Sequence, residues 1–280
     1  MLKDQLSERT WFYDLEWVPD ADGARRLLDL PPDVGEREAM EALWQYSGAS
    51  PEHKRPFVKY LFSRVVSIAF LSRNLVFVDG SKTVEFKLHS LPKLPLEAPD
   101  CDEAYLIGRF LHFIGERDPH LVGFNSAQSD IQVLIQRGLV NEVTAEKFCL
   151  RPDKPWEGRD YFYKYSEEHL DLLALFSRGN GMTPKLDELA KLCGFPGKID
   201  VDGKQVVDLW LARDLDKIVK YNQIDVLNTY LVWLRVVYFC GKLRDDKYYA
   251  ELDIFRDFLE CEAANEGNDH IRQFLEVWPE

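Results

Sequence analysis

The chain has 280 residues, 46% of them hydrophobic, and a formal net charge of −13 from 35 basic and 48 acidic residues. That size and apolar content support a substantial core, the 13% aromatic content argues against disorder, and the acidic balance excludes a broad basic surface of the kind that coats duplex DNA. No apolar stretch approaches a membrane span, the amino end lacks a signal-peptide layout, and five scattered cysteines without a CxxC pair fit reduced thiols in a cytoplasmic protein.

In chain order, Trp11 to Trp17 reads as a strand on which Asp14 and Glu16, two residues apart, project from one side together with Phe12 and Val18. Trp11, Tyr13, Leu15 and Trp17 make the opposite, apolar face. Two like charges about 7 Å apart on such a strand repel each other and lose hydration unless a cation sits between them. A divalent metal is one candidate, because Mg2+ and Mn2+ favour carboxylate oxygen. A half-exposed strand with its polar face toward water is the other.

A polar connection follows, holding one helix-like stretch, Glu36 to Tyr46, and ending near Pro56. Val65 to Leu71 and Leu75 to Val78 read as two strands of a hairpin turning at Ser72-Arg73-Asn74, with Thr83 to Leu88 as a third strand. Asp102 to Gly115 has an amphipathic helical pattern. His120 to Phe124 is a short buried strand, and Ser129 to Arg137 a helix stopped by Gly138. Asp130 at that helix start is electrostatically favoured there, so an ordinary first-turn acid is one reading of it.

Arg151 to Tyr165 is aromatic and basic without periodicity and reads as a loop, followed by an apolar run from Leu170 to Phe176. Helical patterns then cover Lys185 to Cys193, with Gly194 as the stop, Gln205 to Arg213, Leu215 to about Phe239, and Tyr248 to Ala264. Within the long helix, Tyr221 and Asp225 are four apart and share one face, about 5–6 Å from each other. No internal repeat or low-complexity tract interrupts the chain. Strands first, with helices between and after them, predict an α/β protein with a mixed sheet flanked by helices.

Three motifs now stand in order: a strand with Asp-x-Glu, a strand–helix junction with Asn125-x-x-x-x-Asp130, and a late helix with Tyr221-x-x-x-Asp225. This order and spacing resemble the exonuclease motifs of the DEDD superfamily in its tyrosine-bearing branch. The likeness is to the 3′–5′ exonuclease domain of family B DNA polymerases, and especially to stand-alone bacterial proteins related to it. It extends over most of residues 10–240, through Phe62 to Ala69, His169-Leu170-Asp171-Leu172, Lys185 to Ala190, Gly194-Phe195-Pro196-Gly197-Lys198, Asp202-Gly203 and Asp225 to Tyr230.

The resemblance implies an RNase H-like 3′–5′ exonuclease domain over residues 1–240 and a C-terminal helical extension, 241–280, packed on the same domain. It implies Asp14, Glu16, Asp130 and Asp225 as metal-binding acids for two Mg2+ or Mn2+ ions, and Tyr221 as the motif's tyrosine. It further implies single-stranded DNA as substrate, shortened from its 3′ end with release of nucleoside monophosphates. Exoribonuclease action on RNA 3′ ends, or a catalytically silent binding module on the same fold, are the rival expectations. No polymerase segment follows, which points to a free-standing nuclease, and the acidic charge suggests that a protein partner delivers the substrate. Two positions depart from the family pattern: Ser129, where an aromatic residue is usual, and Asn222, where cysteine is frequent.

Secondary roles follow the same resemblance. Asn125 either contacts the terminal nucleotide or caps its helix. His169 reads as a hydrogen-bonded supporting residue or as a catalytic one. Tyr161, Phe162, Tyr163 and Tyr165 are stacking candidates for unpaired bases or a packed aromatic loop, with Lys154, Arg159 and Lys164 beside them as phosphate contacts.

Overall fold

A computed structural model describes residues 6–98, 101–154, 159–162, 168–177, 183–199 and 203–279. Its strands are β1 (Arg9–Pro19), β2 (Ser63–Val78), β3 (Ser81–Leu91), β4 (His120–Gly123) and β5 (His169–Asp171). They form one sheet in the order β3-β2-β1-β4-β5. β1 runs antiparallel to β2 and parallel to β4, and β4 runs parallel to β5. This mixed sheet with its helices is the α/β architecture expected, consistent with an RNase H-like fold.

The helices are α1 (Ala21–Leu27), α2 (Glu36–Tyr46), α3 (Glu103–Arg117), α4 (Asp130–Val140), α5 (Glu146–Cys149), α6 (Leu172–Phe176), α7 (Leu186–Leu192), α8 (Val206–Leu211), α9 (Leu215–Phe239), α10 (Asp245–Ala263) and α11 (Asp269–Glu276). One-residue alternation along β1 divides the core between two faces. Trp11, Tyr13 and Leu15 pack with Phe70 and α3, including Phe110 and Ile114. Phe12 packs on the other side with Ala69, Leu71 and the α9 residues Tyr230 and Trp233.

One local reading is corrected. The turn expected at Ser72-Arg73-Asn74 is absent: β2 continues to Val78, and Arg73 pairs with Phe86 across the sheet. The Arg73 side chain is 2% exposed and donates to both Glu251 carboxylate oxygens, at 2.6 and 2.7 Å, which neutralises its charge inside the fold. The chain turns instead at Asp79-Gly80, both at positive φ, the dipeptide that suits a tight hairpin. A bulge between Glu16 and Trp17 shifts the register of β1 against β2, and Val18 beyond it is fully buried.

Other boundaries moved modestly. α1 is an added helix, capped by the Asp20 carboxylate accepting from the Gly23 N–H. Gly138 lies inside α4. The run from Leu170 divides into the end of β5 and the short helix α6. Beyond α10, α11 is a second C-terminal helix. Tyr248, Phe255, Leu259, Ile271 and Phe274 from these last two helices are buried in the same cluster as α9. Among the described residues no helix is long and apolar enough to cross a membrane.

Candidate active site

β1 lies beside β2, and the residues opposite Asp14 and Glu16 are the small Ala69 and Ser67. Small neighbours leave the acids open above the sheet. α9 crosses that face and brings Asp225 down onto them. One ligand oxygen from each of Asp14, Glu16 and Asp225 lies within 4.8 Å of the others. The i, i+4 geometry sets Tyr221 against Asp225, and burial together with the Asp225 charge raises the tyrosine hydroxyl.

Asn222 fastens the two elements. Its amide donates to Asp14 Oδ2 at 2.7 Å, and its carbonyl accepts from the Ser67 hydroxyl at 2.8 Å. The residue first noted as a departure from the family pattern thus positions the leading carboxylate.

Asp130 stands beside the group of three. It opens α4 as expected, its Oδ1 accepts from the Leu15 backbone N–H at 3.1 Å, and its Oδ2 accepts from the Ser129 hydroxyl at 2.6 Å. Ser129, the other departure, therefore holds Asp130 by a hydrogen bond. The loop before α4 is held from below: Asp171 accepts from the N–H groups of Asn125, Ala127 and Leu173. This lets Asn125 keep its positive φ of 64°. Gly123 is required where the loop folds back, because a Cβ there would meet Ser126 at 2.4 Å. The Asn125 side chain is exposed and does not cap α4, whose N-cap position is Ser129.

His169 lies on the opposite face of the sheet, hydrogen bonded through Nε2 to the Tyr13 hydroxyl at 3.0 Å and the Ser126 hydroxyl at 2.8 Å. Burial pushes it down to about 3, so it is a neutral brace between β1 and the loop. Tyr161 is packed: it stacks on Phe148 and donates to the Pro119 carbonyl. Phe162 sits edge-on to Phe148, and Arg159 pairs with Glu168. Tyr163, Lys164, Tyr165 and Asp202 lie outside the described residues.

Lys198 is a residue whose part the sequence reading did not assign. Its ammonium donates to the Tyr221 hydroxyl at 2.6 Å and lies 3.9 Å from Asp225 Oδ2. The loop carrying it is clamped to α9 by Asn228, which accepts from the Gly197 N–H and donates to the Gly197 carbonyl. Gly197 has φ +71°, and a Cβ there would strike Asp187 and Lys191. The Gly-Phe-Pro-Gly-Lys run was the available signal.

The electrostatics of this cluster are costly. Burial, then repulsion from Asp130, Glu16 and Asp225, push the Asp14 carboxyl well above its ordinary range, while the Asn222 hydrogen bond opposes the rise. Glu16 is raised by burial and by Asp225, with Lys198 pulling it back. Burial raises Asp130 to about 7 against the hydrogen bonds it accepts. Carboxylates this close and this desolvated call for a cation. The donors are all oxygen, as hard divalent ions prefer, so the residues present fit such an ion.

An α/β sheet whose first strand and long late helix bring three acids and a tyrosine together, with Asp130 of α4 beside them, is consistent with an RNase H-like nuclease layout. A family model described as predicted 3′–5′ exonucleases related to the exonuclease domain of PolB matches residues 55–278, and the chain belongs to that family. The match includes Asp130, Tyr221 and Asp225 and begins after the strand that carries Asp14 and Glu16. No curated protein matches the chain.

Proposed function

We propose that the protein is a divalent-metal-dependent 3′–5′ exonuclease that hydrolyses single-stranded DNA from its 3′ end and releases nucleoside monophosphates. The observation that carries this reading is the meeting of Asp14, Glu16 and Asp225 within 4.8 Å, with Asp130 adjacent. Two divalent ions would be held by Asp14, Glu16 and Asp225, with Asp130 completing the second position. Such ions neutralise charge developing on the phosphoryl group and lower the pKa of water.

The chain's own groups have separate tasks. Asn222 fixes the rotamer of Asp14, so that carboxylate need not reorganise when substrate arrives. Tyr221 donates a hydrogen bond that orients the attacking water. It is no general base, because burial and the charges of Asp225 and Glu16 push its hydroxyl far above its ordinary value. Lys198 holds that hydroxyl in place and offers a positive charge toward a phosphate. Asn125, exposed at the mouth, contacts the terminal nucleotide.

The experiment is a gel time course on 5′-labelled single-stranded DNA and RNA in Mn2+, Mg2+ and EDTA, beside Asp14→Ala. A ladder shortening from the 3′ end, lost in EDTA and in the variant, supports the reading, and the preferred strand names the sugar. An undegraded strand in every lane defeats it.

A further inference from the structure

Residues 53–64, His-Lys-Arg-Pro-Phe-Val-Lys-Tyr-Leu-Phe-Ser-Arg, carry four basic residues and no acid, in a chain of net charge −13. The same segment displays aromatic rings. Phe57 is 65% exposed, although a large apolar side chain gains from burial. Its ring meets Tyr60 edge to face at 5.2 Å, and Tyr60 meets Trp17 edge to face at 6.2 Å. Trp17 directly follows Glu16 on β1, and Tyr60, the middle ring of the row, lies near Asp130.

The row is firmly mounted. Arg55 pairs with Asp208 through two hydrogen bonds and lies over the Trp44 ring. The Leu61 carbonyl accepts from Arg137 on α4, the helix that Asp130 opens. The Phe62 carbonyl accepts from the Asp20 N–H at the end of β1. Tyr60 is close enough to Asp130 for that carboxylate, after burial, to raise its hydroxyl. Lys54 and Lys59 are exposed beside the rings.

We propose that Trp17, Tyr60 and Phe57, with Lys54 and Lys59, form a binding strip for the unpaired strand leading into the site. The occupant is a single-stranded polynucleotide. Each base offers a π-face to a ring, and the lysines neutralise phosphates that the acidic remainder of the protein repels. A duplex keeps its bases stacked on one another and cannot use the rings. Of the aromatic residues after Arg151 considered for the same task, Tyr161 is committed to packing, as the alternative reading of that loop had it. Its position at the end of a substrate path rests on the exonuclease reading, whereas strand binding itself does not.

The test is fluorescence anisotropy in EDTA, with the full chain and short fluorescein-labelled oligothymidylate, oligouridylate and a duplex of equal length. Phe57→Ala should weaken both single strands by roughly tenfold, the scale of one base–aromatic stack, and Phe57→Ala with Lys59→Glu should weaken them further. Duplex binding should not respond to Phe57→Ala. Equal affinities of parent and variant, or an equal loss on duplex, would overturn the strip. A parent that binds neither strand would overturn it too and leave the rings to a protein partner. Hydrolysis in Mn2+ is scored separately, so a protein that binds through Phe57 without cutting sinks only the exonuclease reading.

Discussion

The Asn222 amide lies 2.7 Å from Asp14 Oδ2, joining residues 208 positions apart in the chain. Through this bond the long helix α9 sets the rotamer of the strand carboxylate, and Ser67 holds the other end of the Asn222 amide. Loss of the amide would leave Asp14 as buried as before and push its carboxyl further above its ordinary range.

Asp225→Ala removes one of the three clustered carboxylates and with it a ligand position. A metal-assisted reaction losing several kcal/mol of charge stabilisation slows at least ~1,000-fold. Single-turnover rates in Mn2+ measure this, with circular dichroism checking that the fold persists. Hydrolysis at the parental rate would remove Asp225 from the site.

Tyr221→Phe keeps every acid and loses only the orienting hydroxyl, so the expected loss is smaller, up to roughly 100-fold. Because burial and neighbouring carboxylates hold the hydroxyl far above its ordinary value, the tyrosine stays protonated across the working range. The pH–rate profile of the variant should therefore keep the parental shape. A basic limb that disappears in Tyr221→Phe would make the hydroxyl a titrating catalyst.

The metal-free protein should lose stability as pH rises. A carboxyl raised on folding binds its proton more tightly in the folded state, so its contribution is full below the unfolded value near 4 and is lost through the folded one. For Asp130 the folded value is about 7. In EDTA, urea unfolding of Asp130→Asn, which carries no charge, should pull ahead of the parent between about pH 4 and pH 7. Mn2+ should reverse the order at pH 8, because the ion binds the folded carboxylates. A pH-independent difference would show that Asp130 is ionised as in water.

Asp171→Ala would strand the N–H groups of Asn125, Ala127 and Leu173. Buried donors without acceptors cost about 1–3 kcal/mol each, and partial access to water lowers the sum to about 2–4 kcal/mol. Denaturant titration measures it. The Asn125 loop relaxes at the same time, so KM on oligonucleotides should rise along with the loss of stability.

Breaking the buried Arg73–Glu251 pair on one side, as Arg73→Ala, leaves a charged Glu251 inside the fold and costs about 3–5 kcal/mol. Replacing both by Met and Leu should restore most of that. If the double substitution is as unstable as the single one, the pair does more than cancel its own charges.

Much of the site was legible because its geometry is local. Asp14 and Glu16 share a side since strand residues alternate, and Tyr221 meets Asp225 since helix residues four apart are stacked. Amphipathic periodicity likewise marked α3 and most of α9. The hairpin was misread where the polar run of Ser72, Arg73 and Asn74 outweighed the stronger Asp79-Gly80 turn. Nothing near Arg73 announces Glu251, 178 residues later, whose charge lets the arginine stay within the sheet.

Local pattern alone places two strand acids on one side, an acid at the start of α4, and a tyrosine and an acid on one helix face. Backbone periodicity acts over a few residues and is written in every segment. Packing of the whole chain brings these acids together, sets Asn222 and Lys198 against them, and buries Tyr161 while Phe57 stays exposed with its ring against Tyr60. Those outcomes depend on which faces the sheet and helices bury against each other, and burial is a property of the whole packed chain.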